Sequence, residues 1–268
     1  AFKDISEINK QIKGVSFIVD SEAADNKLEI PVWALSADDW AILLHASEKT
    51  QLPVIKRAID IARIFYDKEN LDNTIKNHIL ASTLLGIITS SDSSPSKSDK
   101  LVAIMAHFGT AEINIDSPLE TGGSLKQAIS IDFGKMKNEE AAIKFLTQFV
   151  DQELIGRVST DKEVIYDLAE FAQAIEFATL YEGSVSSQRI QEYTATLITR
   201  LQTIKDGIQG KILSKTQYNS LDEYVAHFVG NWQIIDVDIS SLDDASAEVV
   251  TKVLAKMLLD YVKHKEHK

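Results

Sequence analysis

The run from Ser186 to Ile208 constrains the fold of this chain more than any other stretch. Ile190, Thr194, Leu197, Leu201, Ile204 and Ile208 recur at spacings of 4, 3, 4, 3 and 4 residues. An α-helix turns once per 3.6 residues, so this spacing lays the apolar side chains along one stripe with polar residues elsewhere. Three heptads are short for an independent coiled coil, and Thr194 is a polar seam residue. The stripe is therefore expected to pack inside its own chain, as the strut around which other helices gather.

The same period recurs along the sequence. Phe2, Ile5, Ile8 and Ile12 predict a short helix over 1–13. Ser36, followed by Asp38 and Asp39, reads as the cap of a helix over 36–48. Pro53 suits the first turn of an almost wholly apolar helix over 52–67, and a third follows over 70–89. Further helices are expected over 98–108, stopped by Gly109, and from Asn138 to about Ile155. Capping boxes at Thr160/Glu163 and Ser220/Glu223 open two more, ending at Gly183 and Gly230, and the last runs over 243–263 before a charged, disordered HKEHK tail.

Strands are few. Val15–Val19 and Leu28–Trp33 predict a hairpin with Pro31 on an edge strand, Thr110–Asp116 with Ile129–Phe133 a second, and Trp232–Ile239 a lone strand. The expected fold class is mainly α (α+β), a multi-helix bundle with short β-hairpins. The serine-rich segment Ser90–Asp99 reads as a linker or an exposed loop. It either separates an N-terminal region (1–90) from a C-terminal one (100–268) or lies within a single domain.

Composition removes several chemistries. The chain has no cysteine, so disulfides, zinc-thiolate sites, iron–sulfur clusters and thiol nucleophiles are absent. A net charge of -12, with arginine only at 57, 63, 157, 189 and 200, disfavours a nucleic-acid or acidic-membrane partner. The longest nearly apolar run, Ile79–Ile88, is far short of the roughly 20 residues a membrane helix needs, and no signal-type segment opens the sequence. A soluble protein is expected, in a compartment the sequence leaves open. Phosphate-binding glycine loops, nucleophile elbows and paired-histidine zinc motifs are missing, and no cofactor fingerprint is legible.

Two sets of residues are candidates for a site. Asp236 and Asp238 stand at i and i+2 of a strand and point the same way, an arrangement able to hold magnesium; Asp132 is a third carboxylate. Gly122-Gly123-Ser124 followed by Ser130-Ile131-Asp132 faintly resembles the nucleotidyltransferase pattern, with Ser130 standing where that family has its first metal-binding acid. The plainer reading of all three acids is the solvated face of half-buried strands. Trp33, Trp40 and Trp232, at element boundaries, are candidate interaction residues or core-rim aromatics. Among the histidines, His264 and His267 have a spacing that could weakly bind a transition metal.

The expectation is a non-catalytic assembly or protein-interaction subunit of the coat, nucleocapsid or scaffold type, binding a protein partner or itself. A magnesium-dependent nucleotidyl- or phosphoryl-transfer enzyme using Asp132, Asp236 and Asp238 is the alternative. A helical membrane-inserting toxin, refolding Leu52–Ile88 as an apolar hairpin, is the third.

Overall fold

The computed structural model describes residues 11–19, 27–70, 72–154, 162–185, 189–213 and 218–266. Residues 1–10 of the helix expected over 1–13, the Thr160 cap, positions 186–188 and His267 lie outside them, and the described residues 11–13 are not helical. In order come β1 (Gly14–Ile18), α1 (Ala37–Leu43), α2 (Leu52–Tyr66), α3 (Thr74–Thr89), α4 (Ser94–Phe108), α5 (Leu125–Ile129), β2 (Ile131–Asp132), β3 (Lys135–Met136) and α6 (Glu139–Thr147). Then follow α7 (Leu168–Val185), α8 (Arg189–Asp206), α9 (Ile208–Ile212), α10 (Leu221–Val229), β4 (Ile234–Asp238) and α11 (Asp244–Glu266). The chain is mainly helical, as its periodicity requires, and its strands are short. It divides into two compact units, one of Ala1–Glu48, Ile165–Glu170 and Leu197–Lys268, the other of Lys49–Val164 and Phe171–Thr196.

In the first unit, β1 forms where the alternation predicts a strand, but its partner is not Leu28–Trp33. It pairs in parallel with β4, placing Ser16 opposite Asp236. Only an isolated bridge joins Ile18 to Lys27, and Val32–Ala34 is a 3-10 turn. Leu28, Ile30, Val32, Trp33 and Leu35 are all buried, and Pro31 lacks a donor for a ladder. Burial on both sides therefore pulls this segment into the core instead of into a hairpin.

Helix α1 has the expected cap. The Ser36 hydroxyl accepts from the Asp39 N–H at 3.3 Å while the Asp39 carboxylate accepts from the Ser36 N–H at 2.9 Å. Oδ1 of that buried carboxylate meets Lys252 Nζ of α11 at 2.8 Å. Burial pushes the Asp39 carboxyl up, but Lys252 and the Ser36 donors outweigh it and hold the group below the ordinary carboxylate value. At the other end, Arg200 Nη1 donates to the Leu44 and His45 carbonyls at 2.8 and 2.7 Å, satisfying orphan acceptors of the helix terminus.

Along α8 the stripe is buried at Thr194, Leu197, Leu201 and Ile204. Helix α11 continues through Glu266, so three residues expected in a disordered tail are helical.

In the second unit the most enclosed helix is α3, whose Ile79, Leu80, Leu84, Ile87 and Ile88 are buried together with Asn77, His78 and Thr83. It packs against α6 and α4. Rings of Phe65 (α2), Phe108 (α4) and Phe177 (α7) meet with centroids 4.5–5.4 Å apart. Arg57 Nε donates to Glu182 at 3.0 Å, with its guanidinium over the Tyr181 ring.

Residues 94–99 of the serine-rich segment are helical, because Pro95 sits in the first turn of α4, where its missing N–H is harmless. The loop that remains, Ser90–Ser93, is fastened by the Lys100–Asp92 ion pair at 2.7 Å. Helix α7 starts at Leu168, later than the predicted box. There Asp167 and Glu170 exchange backbone-to-carboxylate bonds of 2.7 and 2.8 Å.

Candidate interaction site

Residues 109–138 contain the least helical part of the second unit, and side chains hold them together. Predicted as a strand, Thr110–Asp116 is a chain of bends. Thr110 Oγ1 accepts from the Ile113 N–H at 2.9 Å, and Asn114 donates to the Thr110 and Ala111 carbonyls. Buried Ser117 accepts from the Asn114 N–H at 2.8 Å and donates to the Glu112 carbonyl at 2.9 Å. These local bonds satisfy the backbone in place of a ladder. Gly122 and Gly123, at φ 89 and 79, then turn the chain toward α5.

From α5 the chain enters a two-strand hairpin. Its base is anchored by Leu125, Ala128, Ile129 and Met136, all buried, and is closed by Lys137 N–H donating to the Ser130 carbonyl at 2.9 Å. The α4 helix packs against this base. Ile131 lies opposite Met136, and Asp132 opposite Lys135, leaving Phe133-Gly134 as a two-residue turn. Both turn residues are left-handed, at φ 46 and 78, the geometry of a type I′ hairpin.

Asn or Gly is the usual first residue of such a turn; here it is Phe133, whose side chain is 100% exposed. Beside it in the hairpin, exposed Lys135 lies opposite exposed Asp132. A bare aromatic ring thus stands at the tip of the hairpin.

The carboxylates singled out in the sequence fall in different units: Asp132 in the second, Asp236 and Asp238 in the first. Asp236 accepts from the Ser16 hydroxyl at 3.0 Å, and Asp238 accepts from the Ser240 N–H and hydroxyl at 3.1 and 2.6 Å. Among the described residues, no three His, Asp or Glu side chains gather closely enough to hold a metal ion.

Trp40 is wholly buried and Trp33 nearly so, the latter with no acceptor for its indole N–H among the described residues; Trp232 is 44% exposed. No described helix is long and apolar enough to cross a membrane. An apolar cleft in the first unit, between Ile30, Ile212 and Val253, has only Gln209 and Ser246 as polar lining, and these bond each other at 3.1 Å.

Sequence reasoning missed Phe133 as a site because it closes the alternation Ile129, Ile131, Phe133 and so reads as the end of a buried strand face. The signal was present in the next residue: an X-Gly pair between two short alternating runs marks a two-residue turn. No protein-family model matches the chain, and no curated protein matches its sequence.

Proposed function

We propose that the protein is a non-catalytic interaction subunit of the scaffold or coat kind, anchored to a protein partner through the tip of the β2–β3 hairpin. One observation carries this reading: Phe133 is fully exposed and left-handed at once. An L-residue with a Cβ pays roughly 1–2 kcal/mol for that backbone conformation, and a ring in water recovers none of it within the chain. Burying the ring in a partner's pocket is worth roughly 1.5–3 kcal/mol, and aromatic anchors of this kind dominate many interfaces. Strained positions concentrate at sites of function.

A protein surface suits better than an anionic bilayer, which would repel the rest of an acidic chain.

The test is a photoreactive benzoylphenylalanine at position 133, compared with one at exposed Val102, combined with affinity capture by wild type and Phe133→Ser. Protein adducts at 133 alone, and captured protein lost with Phe133→Ser, are expected. A wild type that stays monomeric at all concentrations and forms no adduct at 133 overturns the reading. Adducts formed only with anionic lipid vesicles would transfer the tip to a membrane surface.

A further inference from the structure

In the first unit β1 and β4 form a parallel sheet of only two strands, and the β4 edge of that sheet is open. The Ile234 N–H donates to the Lys13 carbonyl at 3.2 Å, which fixes the parity of the ladder. Ile234, Asp236 and Asp238 turn their backbone groups toward β1, so the N–H and C=O groups of Ile235 and Val237 point the other way. Among the described residues nothing bonds to those four groups, and no strand lies beyond β4. The opposite edge differs, because there the Ile18 carbonyl accepts from the Leu28 N–H at 2.9 Å. Parallel strands ordinarily sit inside larger, covered sheets, and two strands alone are marginal.

The two faces of the open edge differ in chemistry. Ile235 and Val237 share the face of Val15 and Phe17, and the Phe17 ring stacks on Phe228 of α10 with centroids 4.7 Å apart. Every residue of β4 is only half-buried, so this apolar face runs out to the edge. Asp236 and Asp238 stand on the other face. Asp236 accepts from the neutral Ser16 hydroxyl at 3.0 Å, and no cation meets it among the described residues.

We infer that the open edge of β4 takes up an extended segment of another protein in which lysine or arginine alternates with β-branched residues. Backbone groups of that segment pair with Ile235 and Val237, and its apolar side chains continue the Phe17 face. Its cations stand opposite Asp236 and Asp238, as cross-strand pairs of opposite charge. A second copy of the same edge fits poorly. Antiparallel pairing through both outward residues sets each copy's Asp236 directly opposite its twin, and like charges so placed repel. This edge belongs to the first unit and is independent of the Phe133 tip in the second.

The experiment is amide hydrogen exchange by NMR on the full chain, alone and with a blocked heptapeptide of alternating valine and lysine. A control peptide has glutamate in place of lysine. In the free protein Ile235 and Val237 are expected to exchange faster than Asp236 and Asp238. The lysine peptide is expected to slow Ile235 and Val237 by about 10-fold or more and to leave Asp236 and Asp238 unchanged. The glutamate peptide is expected to bind about 10-fold more weakly, since two cross-strand charge pairs are reversed. Asp236→Asn keeps an acceptor for Ser16 and should weaken binding about 2–5-fold. Val237→Pro removes an outward N–H without touching the β1 ladder and should weaken it about 10-fold. Unchanged exchange at Phe17, whose N–H faces β4, shows that the ladder is intact in both variants.

Protection of Ile235 and Val237 already present in the free chain, or rising with its concentration, means that the chain itself covers the edge and overturns the inference. A lysine peptide that leaves both amides unprotected at millimolar concentration also overturns it, and marks Asp236 and Asp238 as charges that merely guard an edge. Equal protection by the two peptides would overturn the chemistry assigned to the partner.

Discussion

Replacing Phe133 by asparagine should make the protein more stable while removing the anchor. The ring is 100% exposed, so its loss removes no burial from the folded state. The backbone stays at φ 46, which asparagine adopts readily because its short amide bonds locally. The gain is thus the relieved left-handed strain, about 1 kcal/mol at the lower end of the usual range. A unit of this size should then melt roughly 2–4 °C higher, with the urea midpoint raised and its slope unchanged.

Phe133→Ala is the control. Alanine has the same Cβ and the same strain, so its stability should match wild type within about 0.5 kcal/mol. All three tryptophans belong to the first unit, so hydrogen exchange at 131–137, not tryptophan fluorescence, reports the second unit. The reasoning is refuted if Phe133→Asn lowers the midpoint, or if Phe133→Ala costs more than about 1 kcal/mol, a loss expected only of a packed ring.

Other positions make separate demands. His78 is buried, its Nδ1 accepts from the Asp151 N–H at 3.0 Å, and its Nε2 has no partner among the described residues. Burial lowers its pKa from 6.5, with Asp151 opposing in part, so the fold favours the neutral ring. The associated stability is complete above pH 6.5 and is lost as pH falls from there toward the depressed folded value, at no more than about 1.4 kcal/mol per pH unit. Urea midpoints compared with those of His78→Gln should show that slope only in wild type.

Asp39→Ala removes the carboxylate half of the α1 capping box and the Lys252 contact, leaving the Ser36 cap, and should cost about 2–3 kcal/mol in chemical denaturation of the first unit. Since its pKa is lowered from 3.8, the stability it contributes is present above that value and lost on acidification through the folded one. Arg200→Ala strips two donors from the end of α1 and should raise hydrogen exchange at 40–46, at a cost of about 1–3 kcal/mol.

The helices were legible because burial and period agree in them: Trp40, Ile55, Leu84 and Leu201 are all buried at the positions their spacing assigns. Strand pairing was not. Ser16 and Asp236 are 220 positions apart, and nothing local distinguishes Ile234–Asp238 from Leu28–Trp33 as the neighbour of β1. The alternation at 111–115 misled for another reason. Thr110, Asn114 and Ser117 bond the backbone through their side chains, and a period of two over so few residues does not separate a ladder from bends of this kind. At 90–99, composition suggested a linker or exposed loop, but buried Leu101, Ile104, Met105 and Phe108 downstream hold the helix that Pro95 starts. The hairpin tip was hidden by a conflict between levels, since Phe133 continues an apolar pattern where turn chemistry calls for Asn or Gly. Such conflicts are expected where function competes with folding.

The carboxylates Asp236 and Asp238 give a final test that separates a structural from a metal-binding role. Asp236 Oδ2 accepts from a hydroxyl, and Asp238 Oδ1 from a hydroxyl and a backbone N–H. Ser16 donates to Asp236 at 3.0 Å across the parallel pair, and Ser240 folds back on Asp238 at 2.6 Å as the strand ends. Asparagine keeps one carbonyl oxygen for each of these donors, whereas alanine keeps none. A structural role therefore predicts a graded series: Asp238→Asn near wild type, Asp238→Ala lower by about 1 kcal/mol, and no response of any of the midpoints to magnesium. Metal ligation predicts the opposite order of importance, because the charge itself binds the ion. Magnesium would then raise the wild-type midpoint, and Asp236→Asn and Asp238→Asn would each abolish the rise. That second pattern would displace the structural role and return the pair to phosphoryl-transfer chemistry.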